Sequence, residues 1–227
     1  MALAELFAMR KAAKAQQEGN IEEAMAQYEI CVNQGTRDMK SILAYSVLLL
    51  RQGEYNKARE LLVKVQKYPM TDAQKRQLYV NYAACVYKLG EIDKAIQLME
   101  RQDEKGESGL VYETLGYLYV EKGDFDKALS YNTKACEYDD EDSITLDNLG
   151  QTWYRLGNDK AKAKEYFDKA HELKPSQLDT LYFLALYDLD AGDKEAAKEK
   201  IERLLQARYS PLNYASKEKA EELQKRL

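Results

Sequence analysis

The sequence predicts an all-α fold in which antiparallel helix pairs stack into a solenoid, and three observations carry that prediction. The 227 residues include only 3 prolines and 11 glycines, while Ala, Leu, Glu, Lys and Gln abound, which is the composition of a nearly all-helical protein. Glycine recurs at Gly19, Gly53, Gly90, Gly123, Gly157 and Gly192, at intervals of 33 to 37 residues, and a fixed period of that length marks a repeat architecture. Each of these glycines is followed within a few positions by an alanine: Ala24, Ala58, Ala95, Ala128, Ala163 and Ala197.

The repeating unit reads as helix, tight turn, helix. Around Gly123 the apolar spacing is helical on both sides, with Tyr112, Leu115, Gly116 and Tyr119 before it and Phe125, Ala128, Tyr131 and Ala135 after it. Glycine accepts the positive φ that ends a first helix. The residue that follows (Asn20, Glu54, Glu91, Asp124, Asn158, Asp193) is polar or acidic, as suits the start of the second. Pro69, Pro175 and Pro211 each follow a second helix and mark a unit boundary. In order, the units are expected at residues 5–38, 39–72, 76–108, 109–142, 143–177 and 178–210. Residues 211–226, with Leu212, Ala220 and Leu223 among Lys and Glu, read as a polar capping helix over the last apolar face. One helix pair cannot bury both its faces, whereas stacked pairs share a core, so residues 1–227 are expected to form a single domain.

The 34 basic and 39 acidic side chains give a net charge of -5, which argues against a nonspecific hold on nucleic acid. No apolar run approaches the roughly 18 residues of a membrane span, so no integral membrane segment is expected. Three cysteines without CxxC spacing and one histidine, His171, provide neither a disulfide framework nor a zinc site. With no nucleophile–base pair, phosphate-cradling loop or metal set, no enzyme and no cofactor are expected. Asp139-Asp140-Glu141-Asp142 lacks the glycine and distal glutamate of a calcium loop and reads as negative charge at the N-terminus of the helix from Ser143. The start carries no secretory signal, which makes the cytoplasm the expected compartment. The pattern of Leu3, Leu6 and Phe7 nevertheless begins without a capping lead-in, as it would downstream of a removed signal or membrane tether.

These residues resemble the tetratricopeptide repeat (TPR) family, whose pattern is W-x2-L-G-x2-Y, then A-x3-F, then P. Tyr112-x2-Leu115-Gly116-x2-Tyr119 fits the first helix in the fourth unit. In the fifth, Leu146-x2-Leu149-Gly150-x2-Trp153 leads to Ala163-x3-Phe167 and Pro175. Ala12, Ser46, Ala83 and Ala185 keep a small residue where the family has its helix glycine. The first unit departs with Lys11 and Ala15, the sixth with Asp188, and the third with Gln102 at a small buried position, which suggests a short second helix and a looser junction at Asp103–Gly109. The resemblance implies a right-handed superhelix whose first helices line a concave groove, and hence a noncatalytic protein–protein interaction scaffold.

The family register places Arg10, Lys40, Leu43, Val47, Arg51, Asn81, Tyr87 and Lys88 on the groove in the first three units. In the last three it places Glu113, Tyr117, Asp147, Asn148, Gln151, Tyr182 and Phe183 there, beside Glu121, Tyr154, Arg155, Asp179, Leu186 and Asp190. The first group is apolar and basic, the second aromatic and mostly acidic. Residues 1–90 hold 13 basic and 9 acidic groups, and residues 91–142 hold 6 and 15, a polarity suited to orienting a partner. Asn81 and Asn148 stand where peptide-binding members use asparagine to grip a ligand backbone. The set with which chaperone-binding members clamp a terminal carboxylate is replaced by Met9, Ala13, Ala44, Gln77 and Asn81. The expected partner is a peptide or a partner helix. The alternative is self-association through Leu43, Val47 and Leu50, or through Tyr182, Phe183 and Leu186.

Overall fold

The computed structural model describes residues 3–209 and 213–227, and these form an all-α solenoid of helix pairs. Thirteen helices occur among the described residues. The first six are α1 (Leu3–Gln17), α2 (Ile21–Asn33), α3 (Met39–Arg51), α4 (Tyr55–Val65), α5 (Asp72–Lys88) and α6 (Ile92–Asp103). They are followed by α7 (Gly109–Lys122), α8 (Phe125–Tyr138), α9 (Ser143–Arg155), α10 (Lys160–Leu173), α11 (Leu178–Ala191), α12 (Lys194–Leu205) and α13 (Lys217–Gln224). The chain divides into two compact units, Met1–Gln102 and Asp103–Leu227. No helix among the described residues is long and apolar enough to cross a membrane.

In the first unit α1 packs on α2 and α3 on α4; in the second α7 packs on α8, α9 on α10 and α11 on α12. Small residues make each crossing close. Ala12, Ser46, Ala83 and Ala185 on first helices, and all six alanines after the turns, have no exposed surface. The tightest approach is at Gly116 on α7, where an added Cβ would lie 1.8 Å from Asn132 Oδ1 on α8. Asn132 cannot withdraw freely, because its Nδ2 donates to Thr152 Oγ1 on α9 at 3.0 Å. At Gly150 the same added atom would meet the Phe167 ring at 2.6 Å. The second unit has one apolar cluster that includes Leu181, Ala185, Ala197, Ile201, Leu204, Ala220 and Leu223, and another centred on Phe167 and Phe183.

Helix starts follow local chemistry. Asn20, Asp38, Asp124, Asp159 and Asp193 each accept a hydrogen bond from the backbone N–H three residues on, satisfying one otherwise orphaned donor. Thr71 and Gln74 form a reciprocal capping box, so α5 begins at Asp72, four residues before the sequence places its unit. Asp142 caps α9 through Ile144 and Thr145, which is the structural use of the acidic run.

Five of the six turn glycines have positive φ, and Gly157 does not. There the left-handed residue is Asn158, with φ 52, and the helix cap moves on to Asp159. The reason is packing: a Cβ at Gly157 would stand 2.7 Å from Trp153 and 2.8 Å from Phe125, an edge-on ring pair. Asparagine tolerates the left-handed conformation better than other residues with a side chain. Gln102, expected to shorten its helix, is instead buried at 4% exposure inside a 12-residue α6. The C-terminal helix is only 8 residues long. Asn213–Ser216 ahead of it is not helical, while the expected positions Pro211 and Leu212 lie outside the described residues.

Two glycine substitutions separate packing from backbone strain. Gly116→Ala is expected to destabilise the second unit by about 3 kcal/mol through overpacking against Asn132. Gly123→Ala, at φ 82 with open space around it, is expected to cost about 1 kcal/mol, set by the left-handed backbone alone. Urea denaturation followed by Trp153 fluorescence checks the order, and a larger loss for Gly123→Ala contradicts it.

Candidate functional site

In the first unit the predicted face splits in two. Arg10 on α1 and Lys40 and Arg51 on α3 are exposed, whereas Val47, Tyr87 and Lys88 are half-buried and Leu43 is buried. Lys88 Nζ lies 4.8 Å above the Tyr87 ring. Asn81 is committed to the fold: its Nδ2 donates to Ser46 Oγ at 2.8 Å and its Oδ1 accepts from Gln77 Nε2 at 2.8 Å. The Ser46 hydroxyl in turn donates to the Leu43 carbonyl at 2.7 Å. The amide expected to grip a ligand therefore ties α5 to α3.

The second unit brings its predicted residues together. Arg155 on α9 meets Glu121 on α7 at 2.6 Å and donates to Gln151 Oε1 at 3.0 Å. Gln151 Nε2 donates to Asp147 Oδ2 at 2.7 Å, and Thr180 Oγ1 on α11 donates to Asp147 Oδ1 at 2.6 Å. A chain of polar contacts thus joins the three first helices of the unit. Burial raises the Asp147 carboxyl to about 7, reinforced by Asp179, against the lowering effect of Thr180, Gln151 and Gln177. Burial also raises Glu113 on α7 to about 7, with Asp142 adding to it. Tyr117, one helical turn after Glu113 on α7, is half-buried.

Asn148 differs from Asn81. It is 4% exposed, and its Nδ2 has no hydrogen-bond partner among the described residues. On α11, Tyr182 is half-buried and Phe183 is buried. The Phe183 ring is stacked on Phe167 at 4.7 Å and edge-on to Tyr154 at 5.1 Å. Phe183 also stacks on Tyr214, whose ring centre is 5.2 Å away. Tyr214 and Lys219 are members of this face that helical periodicity missed. Ser216, a helix-capping residue just ahead of Lys217, was the available signal for a later helix start.

Of the residues expected for self-association, Leu43, Leu50 and Phe183 are buried, whereas Val47, Tyr182 and Leu186 are half-buried. Among the described residues, the exposed large apolar side chains are Leu6, Phe7, Ile30, Val63, Tyr138, Ile144 and Leu173. The half-buried His171 has its pKa lowered by burial and by Arg203 and Lys200. Burial raises the thiols of Cys31, Cys85 and Cys136, the direction that suppresses thiolate chemistry.

Comparison with known proteins agrees with the helical-repeat fold. Residues 17–102 match the family described as anaphase-promoting complex, cyclosome, subunit 3, and residues 110–142 match a tetratricopeptide repeat. The chain is 29% identical over 142 residues to the BBSome complex member BBS4 of Bos taurus, covering 62% of this chain and 26% of that protein. The Mus musculus protein of the same name is 27% identical, over 59% and 25%. The match spans about a quarter of the length of these relatives. Among solved structures, PilW, a widely conserved type IV pilus biogenesis factor, superposes with a TM-score of 0.68 at 14% identity, covering 99% of this chain and all of that one. A thermophilic TPR protein of Thermus thermophilus gives 0.65 at 17% identity, over 78% and 94%.

The raised Asp147 carboxyl fixes a pH dependence. From about pH 4 upward the unfolded chain releases this proton, while the folded form holds it until about 7. Stability contributed at this position is therefore lost as pH rises between those values and levels off above them. Asp147→Asn removes one of two neighbouring carboxyls raised by burial, the other being Asp179, so the fall in stability of the second unit from pH 5 to pH 8 is expected to be smaller in the variant without vanishing. Urea titrations at both pH values check this, and an equal fall in both proteins contradicts it.

Proposed function

We propose, from the chain's membership of the tetratricopeptide-repeat family, that it is a noncatalytic interaction scaffold whose first-helix faces hold an extended peptide of a partner protein. The observation that carries this reading is the unpartnered Nδ2 of Asn148. A buried donor without an acceptor costs about 1–3 kcal/mol, and a backbone carbonyl of an extended ligand supplies the missing acceptor. A helical ligand has its carbonyls already engaged, so the orphaned amide favours an extended one.

Two further observations support the reading. The first unit carries 15 basic and 12 acidic side chains and the second 19 and 27, so a partner with charge of both signs is oriented as it approaches. The likeness to BBS4, a member of a multiprotein complex, supports a place within an assembly.

The test is selection from a displayed random-peptide library on the full chain, followed by titration of the enriched peptides against variants. Asn148→Ala is expected to weaken binding by about 1–2 kcal/mol, roughly five- to thirty-fold, with little change in folding. Asn81→Ala is expected to do the reverse, costing about 1–2 kcal/mol of stability through loss of the Ser46 contact while leaving affinity nearly unchanged. Combined Arg10→Glu, Lys40→Glu and Arg51→Glu should slow capture of acidic peptides, less so in high salt, with the melting temperature preserved. Enriched peptides that ignore both Asn148→Ala and the charge reversal would contradict the reading.

A further inference from the structure

The second unit carries a stretch of its own chain on the face of its first helices. Ahead of α13, Asn213–Ser216 is not helical, and Tyr214 lies in a slot. Its ring stacks on Phe183 at 5.2 Å with an interplanar angle of 17° and meets Tyr182 edge-on at 5.8 Å. The Arg155 guanidinium sits 4.4 Å from the ring centre, and Lys219 Nζ 3.2 Å from it. The next residue supplies a backbone anchor: Ala215 N–H donates to Asp179 Oδ1 at 2.9 Å. Its methyl group is 2% exposed, within the apolar cluster of Leu181 and Leu204.

An aromatic slot, a backbone acceptor and a seat for a small side chain, in that order along an extended segment, are the elements by which an extended peptide is recognised. The receptor side belongs to the proposed partner face: Arg155 is bound to Glu121 and Gln151, and Asp179, Tyr182 and Phe183 line α11. Each element also sets a preference. The Arg155 cation over the ring favours Tyr or Trp. The N–H to Asp179 excludes proline at the next position, and the closed seat excludes a large side chain there.

We infer that Tyr214–Ala215 is a built-in occupant of this site, and that the partner displacing it presents an extended segment with an aromatic residue followed by a small residue other than proline. The inference rests on the proposed reading of this face as a partner site and goes beyond it by naming the ligand class and a competitor within the chain. A tethered occupant competes at high effective concentration, so removing it raises affinity for a free peptide.

The probe is a labelled peptide of the chain's own sequence, Asn-Tyr-Ala-Ser-Lys-Glu-Lys (residues 213–219). It is expected to bind full-length Tyr214→Ala at least ten-fold tighter than the unaltered chain. Replacing the peptide's Tyr by Ala, or its Ala by Pro, should abolish that gain, as should adding Phe183→Ala to the protein. In the unaltered chain, where folding is not in question, excess peptide should speed hydrogen exchange at the Ala215 amide. Equal binding to both chains, or unchanged exchange at Ala215, overturns the inference. Library-selected peptides that still respond to Asn148→Ala would show that only the inference, and not the partner-binding reading, had failed.

Discussion

The close crossing of a small residue on each first helix with the alanine-bearing face of its second is the constraint on which the rest depends. At Gly116 there is no space even for a methyl group, because Asn132 fills it and is itself held by Thr152. Close approach brings the backbones near enough for large side chains on either side to interlock, and Phe167 against Gly150 is the aromatic version of the same contact. The helices carry the opposite faces outward as a consequence.

The polar groups of the second unit are held at some cost in solvation. Asp147 is buried and its carboxyl is pushed well above the usual carboxylate range, yet it ties α9 to α11 through Thr180 and leads through Gln151 to the Arg155–Glu121 pair. Buried polar networks of this kind specify one arrangement of helices more than they add stability. In the first unit Asn81 and Ser46 hold α5 to α3 in the same way. The second unit differs because Asn148 leaves a donor without a partner and Asp179 spends its acceptor on the chain's own backbone.

The helix pairs were legible because their determinants are local and periodic: a turn glycine, an alanine after it, and caps such as Asp124 and Asp193. Gly157 escaped that logic, since its role is set by Trp153 and Phe125 from two different helices, and the turn moved to Asn158. Asn81 and Asn148 cannot be told apart by register. Their difference lies partly in Ser46, which reaches Asn81 from a neighbouring helix, and partly in Gln77, four residues before Asn81 on its own helix, where Ile144 stands before Asn148. The Tyr214 segment was hidden by Leu212, Ala220 and Leu223, whose spacing suits one continuous helix, although Ser216 caps a shorter one. Gln102 is buried as the second-last residue of a full-length α6, so it does not shorten the helix, but the boundary between the two units falls directly after it, at the junction that the sequence marked as loose.

The central claim, that partners are held on the first-helix face, is tested most directly by site-specific photocrosslinking in cells. A benzophenone amino acid is placed at Tyr117 on α7 or at Tyr166 on α10, and the adducts are identified by mass spectrometry. A partner peptide crosslinked from position 117 and not from position 166 is the expected result. The same partner crosslinked from position 166 alone would place binding on the second helices and contradict the claim.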